Sequence, residues 1–251
     1  MIVSYSYGGI AQISRGLGIP LYHYRKHKLL LRQGKELSVI INWGLRNVAL
    51  KKLTDAILAD QLKPILNAKI DIAGSKVATF RALDHAGINH PYVYGSAQEA
   101  QESGDAYLAR KDNLMQGRGI VYCEPGYAAP IADFYVRYIP RRREVRIHVW
   151  DEKVIITQRK DIDPNQRICN RRAGARFVVY PLGGYIGPQN ALRANEMAVA
   201  AVKAVGLDFG AVDILYGEDR TLYVLEVNTA PAIEAESVKN TYTNILKGYI
   251  L

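Results

Sequence analysis

The sequence predicts an α+β protein built from mostly antiparallel sheets. Three observations point there. Residues 75–86 and 190–205 carry apolar side chains at helical spacing. Strand-like runs come in pairs around short turns, as at 106–110 with 119–123 and at 213 with 222–227. Single helices separate these runs, which gives lobes of helix packed on antiparallel sheet.

Taken in order, residues 1–70 read as a short α/β segment. Within it, 16–20 is a turn and 37–44 a buried strand ending in Gly44. The 75–86 helix turns Val77, Phe80 and Leu83 to one face, and Gly87 stops it. Residues 88–91 lead into a strand at 92–94. A short helix at 96–103 is capped by Ser96. Strands at 106–110 and 119–123 flank the loop 111–118. Residues 131–139 and 144–150 are expected to form the next hairpin around Arg141, Arg142 and Arg143, and 153–158 adds a strand. The helix 190–205 closes at Gly206, the 213–228 hairpin follows, and a last helix runs from Ala235 to about Lys247. This organisation suggests lobes at 71–135 and 136–251 after the N-terminal segment. There is no internal repeat, low-complexity tract or long linker.

Composition narrows the class. With 251 residues, 49% apolar and 23% charged, the chain can bury a full core and reads as a soluble globular protein. No run of about 18 apolar residues suggests a membrane span, and the N-terminus lacks a signal-peptide pattern. Two cysteines, Cys123 and Cys169, form no disulfide framework and fit a reducing cytoplasm. The net charge of +9 calls for anionic partners. Arginines cluster at 137, 141–143 and 146, and again at 167, 171, 172 and 176. Those within strand patterns suit phosphate or carboxylate oxygens, which the planar guanidinium binds bidentately. A basic nucleic-acid-binding protein is the competing class, but aromatic–basic interleaving is lacking.

The hairpin at 213–228 carries the most specific chemistry. Asp213, Glu226 and Asn228 interrupt or border apolar strand. Glu226 and Asn228 are two apart and share a face; Asp213 can meet them across the ladder. Three oxygen ligands converging on one point suit a hard cation such as magnesium, which takes one or two carboxylates plus phosphate oxygens. A second signal is the glycine-rich loop, where Gly117 and Gly119 around Arg118 let backbone N–H groups approach a phosphate. Arg110 and Lys111 stand at its entrance. Glu144, Arg146 and His148 share one strand face by alternation, and His148 reads as a packed strand histidine.

The segment Val212-Asp213 with Leu225-Glu226-Val227-Asn228-Thr229-Ala230-Pro231 resembles the metal-binding end of the ATP-grasp ligases. The likeness is to the branch of ribosomal-protein glutamate ligases and related carboxylate–amine ligases, phage-type ones included. It covers roughly residues 70–234, with the motifs in family order. The resemblance implies an ATP-grasp fold, two α+β lobes clasping ATP. It implies two magnesium ions, replaceable by manganese, on Asp213, Glu226 and Asn228. Arg110 takes the place of a strand lysine on the ATP phosphates, with Lys111 the alternative, and Lys76 matches an earlier phosphate-reaching lysine. Gln116, Gly117, Arg118 and Gly119 form the phosphate loop. Val136, Arg137, Tyr138 and Ile139 resemble the hinge that receives adenine.

Within the same resemblance, Arg146 contacts the transferred phosphoryl group or acyl phosphate, and Arg159 lies near the acceptor. Asn170 before Gly174 matches a nucleotide-site asparagine, with Arg171 and Arg172 not separable. The implied reaction joins a carboxylate to an amine through an acyl phosphate, releasing ADP and phosphate. The substrates would be small molecules or peptides, an acidic amino acid or acidic peptide among them. A kinase acting on a hydroxyl keeps the same fold and is the alternative. The N-terminal segment is shorter than is usual in that family.

Overall fold

The fold is that of a computed structural model describing residues 1–251 except 6–7, 27, 31–34, 58–62, 113–118, 164–165 and 168–173; the side chains of 28–30 and 54–57 are also left aside. The N-terminal region forms a sheet of β1 (Ile2–Ser4), β2 (Leu21–His23), β3 (Lys28–Leu30), β4 (Ile40–Trp43) and β5 (Ile65–Leu66). Its order is β3-β2-β1-β4-β5. The β1–β2, β1–β4 and β4–β5 pairs are parallel, and β3 is antiparallel to β2. Helices α1 (Gly9–Leu17) and α2 (Asn47–Ile57), not anticipated from sequence, belong to this region. The turn expected at 16–20 begins at Gly18, because α1 runs on through Gly16. Gly18 supplies the left-handed cap, φ 68°, and its N–H closes on Arg15 and Ser14 carbonyls.

A four-stranded antiparallel sheet follows, in the order β6-β9-β7-β8: β6 (Val93–Tyr94), β7 (Tyr107–Arg110), β8 (Ile120–Cys123) and β9 (Phe134–Arg137). Helices α3 (Asp71–Gly74), α4 (Lys76–His85) and α5 (Ala97–Glu102) flank it. Ser96 caps α5 by accepting from Glu99 N, as the sequence suggested, and Ser75, read there as helical, caps α4 by accepting from Ala78 N.

The third sheet is also antiparallel, in the order β12-β11-β10-β13-β14. Its strands are β10 (Arg141–Trp150), β11 (Lys153–Asp161), β12 (Arg176–Val179), β13 (Phe209–Gly217) and β14 (Leu222–Asn228). The short helix α6 (Gly183–Ile186), the long α7 (Pro188–Ala204) and the terminal α8 (Glu236–Lys247) complete the chain. The expected hairpin of 131–139 with 144–150 does not form. β9 pairs with β6 and β7, whereas β10 pairs with β11 and β13. The chain leaves one sheet and enters the next between Tyr138 and Pro140, where proline has no N–H to extend a ladder. β10 instead turns back into β11 through Asp151 and Glu152, both at positive φ (49° and 56°), the twist a tight two-residue hairpin requires.

Alternation gives the third sheet two unlike faces. Val145, Ile147, Val149, Val212 and Ile214 pack with Ala191, Ala194, Ala198 and Ala201 in one core; the small residues let α7 lie close. The opposite face carries Glu144, Arg146, His148, Gln158, Lys160 and Asp213. A second core joins the N-terminal sheet to this sheet's far end and α8, with Trp43, Trp150, Phe209, Tyr242 and Leu246 buried together. Asn67, at φ 55°, ties the same regions by polar bonds, donating to Phe209 O and accepting from Asp208 N and Phe209 N.

Candidate active site

The third sheet's polar face holds a buried network of charges. Arg146 donates Nε to Asp213 Oδ1 at 2.7 Å and Nη2 to Asp213 Oδ2 at 2.9 Å. Lys160 Nζ bridges the carboxylates of Asp213, at 2.8 Å, and Glu144. Asp213 is 5% exposed, and burial alone would raise its pKa. Arg146 and Lys160 more than reverse that and hold it well below the usual carboxylate range. Burial would likewise lower the Arg146 pKa, but Asp213 raises it on balance. Asp213 and Arg146 are therefore held in their charged forms, joined in bidentate geometry.

Across the ladder, Asp213 faces Glu226, and Ala211 faces Asn228. The register slips immediately after, from Asp213–Glu226 to Ile214–Val224, so Leu225 is an extra residue in β14. Such a bulge re-aims the side chains beside it. Leu225 and Glu226 both line two adjoining cavities. Asn228 Nδ2 donates to Ala211 O at 3.2 Å, which fixes the amide so that Oδ1 is its outer atom.

The first cavity, about 140 Å³, lies between the two antiparallel sheets. Leu108, Arg110, Ile120, Val136, Tyr138 and Ile139 form one wall, and Glu144, Lys160, Asp213, Leu215 and Glu226 the other. Arg110 Nε is buried here with no hydrogen-bond partner among the described residues. Burial lowers the Arg110 pKa, opposed by Glu226 and Asp112. An enclosed guanidinium in that condition calls for an oxyanion. The second cavity, about 520 Å³, is bounded by Tyr5, Tyr24, Arg46 and Lys76 on one side and 225–230 on the other. Burial also lowers the Lys76 pKa, and Glu226 opposes this first. Glu226 thus stands in the fields of Lys76, Arg110 and Arg146 together.

A model of the RimK-like ATP-grasp domain matches residues 48–250. The chain belongs to the RimK-like ATP-grasp family. The fold is correspondingly that of ATP-grasp ligases. The ligase PsnB in complex with a minimal precursor aligns with TM-score 0.67 and 16% identity over 99% of this chain and 98% of that one. The macrocyclase MdnC with precursor peptide MdnA, from Microcystis aeruginosa MRC, gives 0.60 and 15% over 98% of each chain. N5-carboxyaminoimidazole ribonucleotide synthetase from Thermotoga maritima gives 0.64 and 11% over 100% of this chain and 75% of that one. No match is found among curated proteins.

Several residues expected from the ATP-grasp resemblance come together around the two cavities: Lys76, Arg110, Val136, Tyr138, Ile139, Asp213, Glu226 and Asn228. Lys111, the alternative to Arg110, points away to Asp133 at 3.1 Å. Gly119, at φ 68°, closes the loop entrance by accepting from Lys111 N at 3.1 Å. Gln116, Gly117, Arg118, Asn170, Arg171 and Arg172 lie outside the described residues. In the hinge, the N–H groups of Arg137 and Tyr138 are engaged by Tyr92 O and Ala106 O, both at 2.8 Å. They are not the donors that would read a base edge, and the Arg137 side chain turns outward to Asp105.

Arg159 is not brought to the cluster. Alternation puts Gln158 and Lys160 on the polar face and Arg159 on the other, where it pairs with Asp161 and lies 4.7 Å over the Tyr180 ring. Lys160 is the cation that sequence reading missed. It sits two residues beyond the stretch read as strand, although continued alternation from Gln158 would have found it. Asp112 was missed too. Its carboxylate accepts from Ser75 Oγ, Lys76 N and Val77 N, so it ties the glycine-rich loop's entrance to the α4 N-terminus.

The donors fit a hard divalent cation. No group of three His, Cys, Asp or Glu among the described residues is placed to hold a metal unaided. Glu226, which lines both cavities, and the Asn228 amide oxygen in the second suit magnesium that shares its shell with phosphate, whereas both Asp213 oxygens already accept from Arg146 and Lys160.

Proposed function

We propose that this protein is an ATP-dependent carboxylate–amine ligase. A substrate carboxylate oxygen attacks the ATP γ-phosphorus and ADP leaves. The amine nitrogen then attacks the acyl carbon, phosphate leaves, and the amine proton passes to phosphate or water. The observation that carries this reading is Glu226 at the meeting of the two cavities, in the fields of Lys76, Arg110 and Arg146. An anionic metal ligand surrounded by three separate cations suits a polyphosphate beside a second anion.

Magnesium, two ions in this reading and replaceable by manganese, would neutralise β,γ-phosphate charge on Glu226, Asn228 and Asp213. The protein's own part is positioning and charge stabilisation. Arg110 and Lys76 hold phosphate oxygens. Val136, Tyr138 and Ile139 enclose the adenine. Arg146, pinned by Asp213, presents its remaining edge to the substrate carboxylate oxygens that become the acyl phosphate. The second cavity is left for the amine, and Arg159 has no place in this mechanism. MdnC is bound with a precursor peptide and PsnB with a minimal precursor, so a peptide carboxylate is included among the substrates we favour.

The test is incubation with ATP, magnesium and panels of amino acids and acidic peptides, with nucleotide, phosphate and product mass followed together. ADP and phosphate in step with an amide product are expected. ADP without phosphate, with a phosphorylated hydroxyl, would establish a kinase. AMP and pyrophosphate would exclude the acyl-phosphate route.

A further inference from the structure

A third cavity, about 520 Å³, opens on the other side of Arg146. Arg146, Gln158, Arg176, Phe177 and Glu234 bound it, with small residues Ala175, Ala232 and Ala235 leaving its floor open. It shares no lining residue with the two cavities already described.

Arg146 is prepared for a second anion there. A guanidinium has two forked edges. Asp213 takes the edge made by Nε and Nη2. The end edge, Nη1 with the second hydrogen of Nη2, has no partner among the described residues. The Phe177 ring covers the guanidinium face at 4.2 Å and limits its rotation.

Gln158 is the register partner of Arg146 and sits beside it on the same face. Its orientation follows from a buried chain of hydrogen bonds. Tyr242 is fully buried, and its hydroxyl lies 3.0 Å from His148 Nδ1. A buried hydroxyl proton needs an acceptor, so Tyr242 donates to Nδ1. His148 is held neutral, its pKa pushed down to about 4 by burial, and so carries its single proton on Nε2. Nε2 donates to Gln158 Oε1 at 3.0 Å. The carboxamide nitrogen of Gln158 is then the atom turned toward the cavity, a donor next to the open edge of Arg146.

We propose that this cavity is a carboxylate subsite, in which the Arg146 end edge and the Gln158 carboxamide hold one acid group, with Gln158 oriented by His148 and Tyr242. Arg176 adds positive charge to the lining and Glu234 one negative charge, so the two cations Arg146 and Arg176 outnumber the single carboxylate. The assignment of this acid as the ligase substrate rests on the function proposed above; its binding does not.

The test reads binding without ATP. Saturation-transfer NMR of the full chain is run with succinate, and with succinamide as its uncharged counterpart. Succinate is expected to bind and succinamide not. Gln158→Leu should weaken succinate about tenfold while leaving the little succinamide signal unchanged. Tyr242→Phe, which keeps the ring and removes only the hydroxyl, should weaken succinate several-fold, and it carries the test if Gln158→Leu fails to fold. Equal signals from acid and amide, or wild-type succinate binding in a folded Gln158→Leu or Tyr242→Phe protein, would overturn the proposal. If succinate binds as expected but no acid stimulates phosphate release, the ligase reading fails and the subsite stands.

Discussion

The charges in the centre fall into two kinds. Asp213, Glu144, Arg146 and Lys160 neutralise one another in the interior, whereas Glu226 faces the cavities. These two conditions predict opposite consequences. Glu226→Gln is nearly isosteric and removes charge only where ligands enter. It should leave the melting temperature within about 1 °C, since surface-type changes are usually within about 0.5 kcal/mol. Phosphate release should fall on the order of 100-fold or more. Near-full turnover in that variant would remove Glu226 from the site. Lys160→Met, by contrast, leaves buried Glu144 without its cation while Asp213 keeps Arg146, and removing one partner of such a buried pair costs about 3–5 kcal/mol. Its stability in urea should fall accordingly, and an unchanged denaturation midpoint would show that the cation is dispensable. His148 adds a pH signature. Its folded pKa is depressed to about 4 from 6.5, so the unfolded chain binds the extra proton between those values. The stability it contributes is complete above pH 6.5 and is lost as pH falls toward 4, about 3 kcal/mol in all. His148→Gln should flatten the pH dependence of the unfolding free energy in that window; an unaltered slope would assign it elsewhere.

At the scale of elements, capping and alternation were legible while sheet membership was not. Gly87, Ser96 and Gly206 end their helices where the sequence signals lie, because those signals are local. Glu144, Arg146 and His148 share a face because period two needs no knowledge of partners. The 131–150 stretch was misjudged for the converse reason. Two strands joined by three arginines look like a hairpin, yet which ladder each strand joins depends on residues far along the chain. Arg159, matched from the family pattern, lies on the sheet face opposite Lys160, because successive strand residues exchange faces. The bulge at Leu225 and the role of Asp112 depend on backbone geometry and on a contact across 36 residues, so local pattern is silent on both. Asp112 yields an element-level prediction. Its carboxylate satisfies two N–H groups of the first turn of α4 and holds Ser75. Asp112→Ala should cost about 1 kcal/mol and raise the KM for ATP, because Lys76 also donates to Asp112 O and is positioned by the same tie. An unchanged KM with lowered stability would reduce Asp112 to a helix cap.

The whole molecule closes around the segment that follows Asn228. That segment passes against the N-terminal region where two glycines leave room. A Cβ on Gly9 would lie 2.1 Å from Ile233 O, and one on Gly44, at φ 87°, would lie 2.9 Å from Ala230 Cβ. Ile233 is buried with Ile10, Trp43 and Tyr242 in the core that joins the N-terminal sheet to α8. The short N-terminal region is therefore keyed to the end of the strand that carries Glu226 and Asn228, and it walls the second cavity with Tyr5, Tyr24 and Arg46. Its glycines allow a controlled test within one helix. Gly16 lies inside α1 with open space where a Cβ would stand, so Gly16→Ala should stabilise by about 0.5–1 kcal/mol through helix propensity and leave turnover unchanged. Gly9→Ala meets a backbone carbonyl that no side-chain rotation can clear. It must push the 229–233 segment away, lowering the melting temperature and, through Asn228, the rate of phosphate release. The comparison separates a docked appendage from a structural wall of the site. If Gly9→Ala lowers stability yet leaves the rate at the level of Gly16→Ala, the N-terminal region supports the fold without shaping the centre.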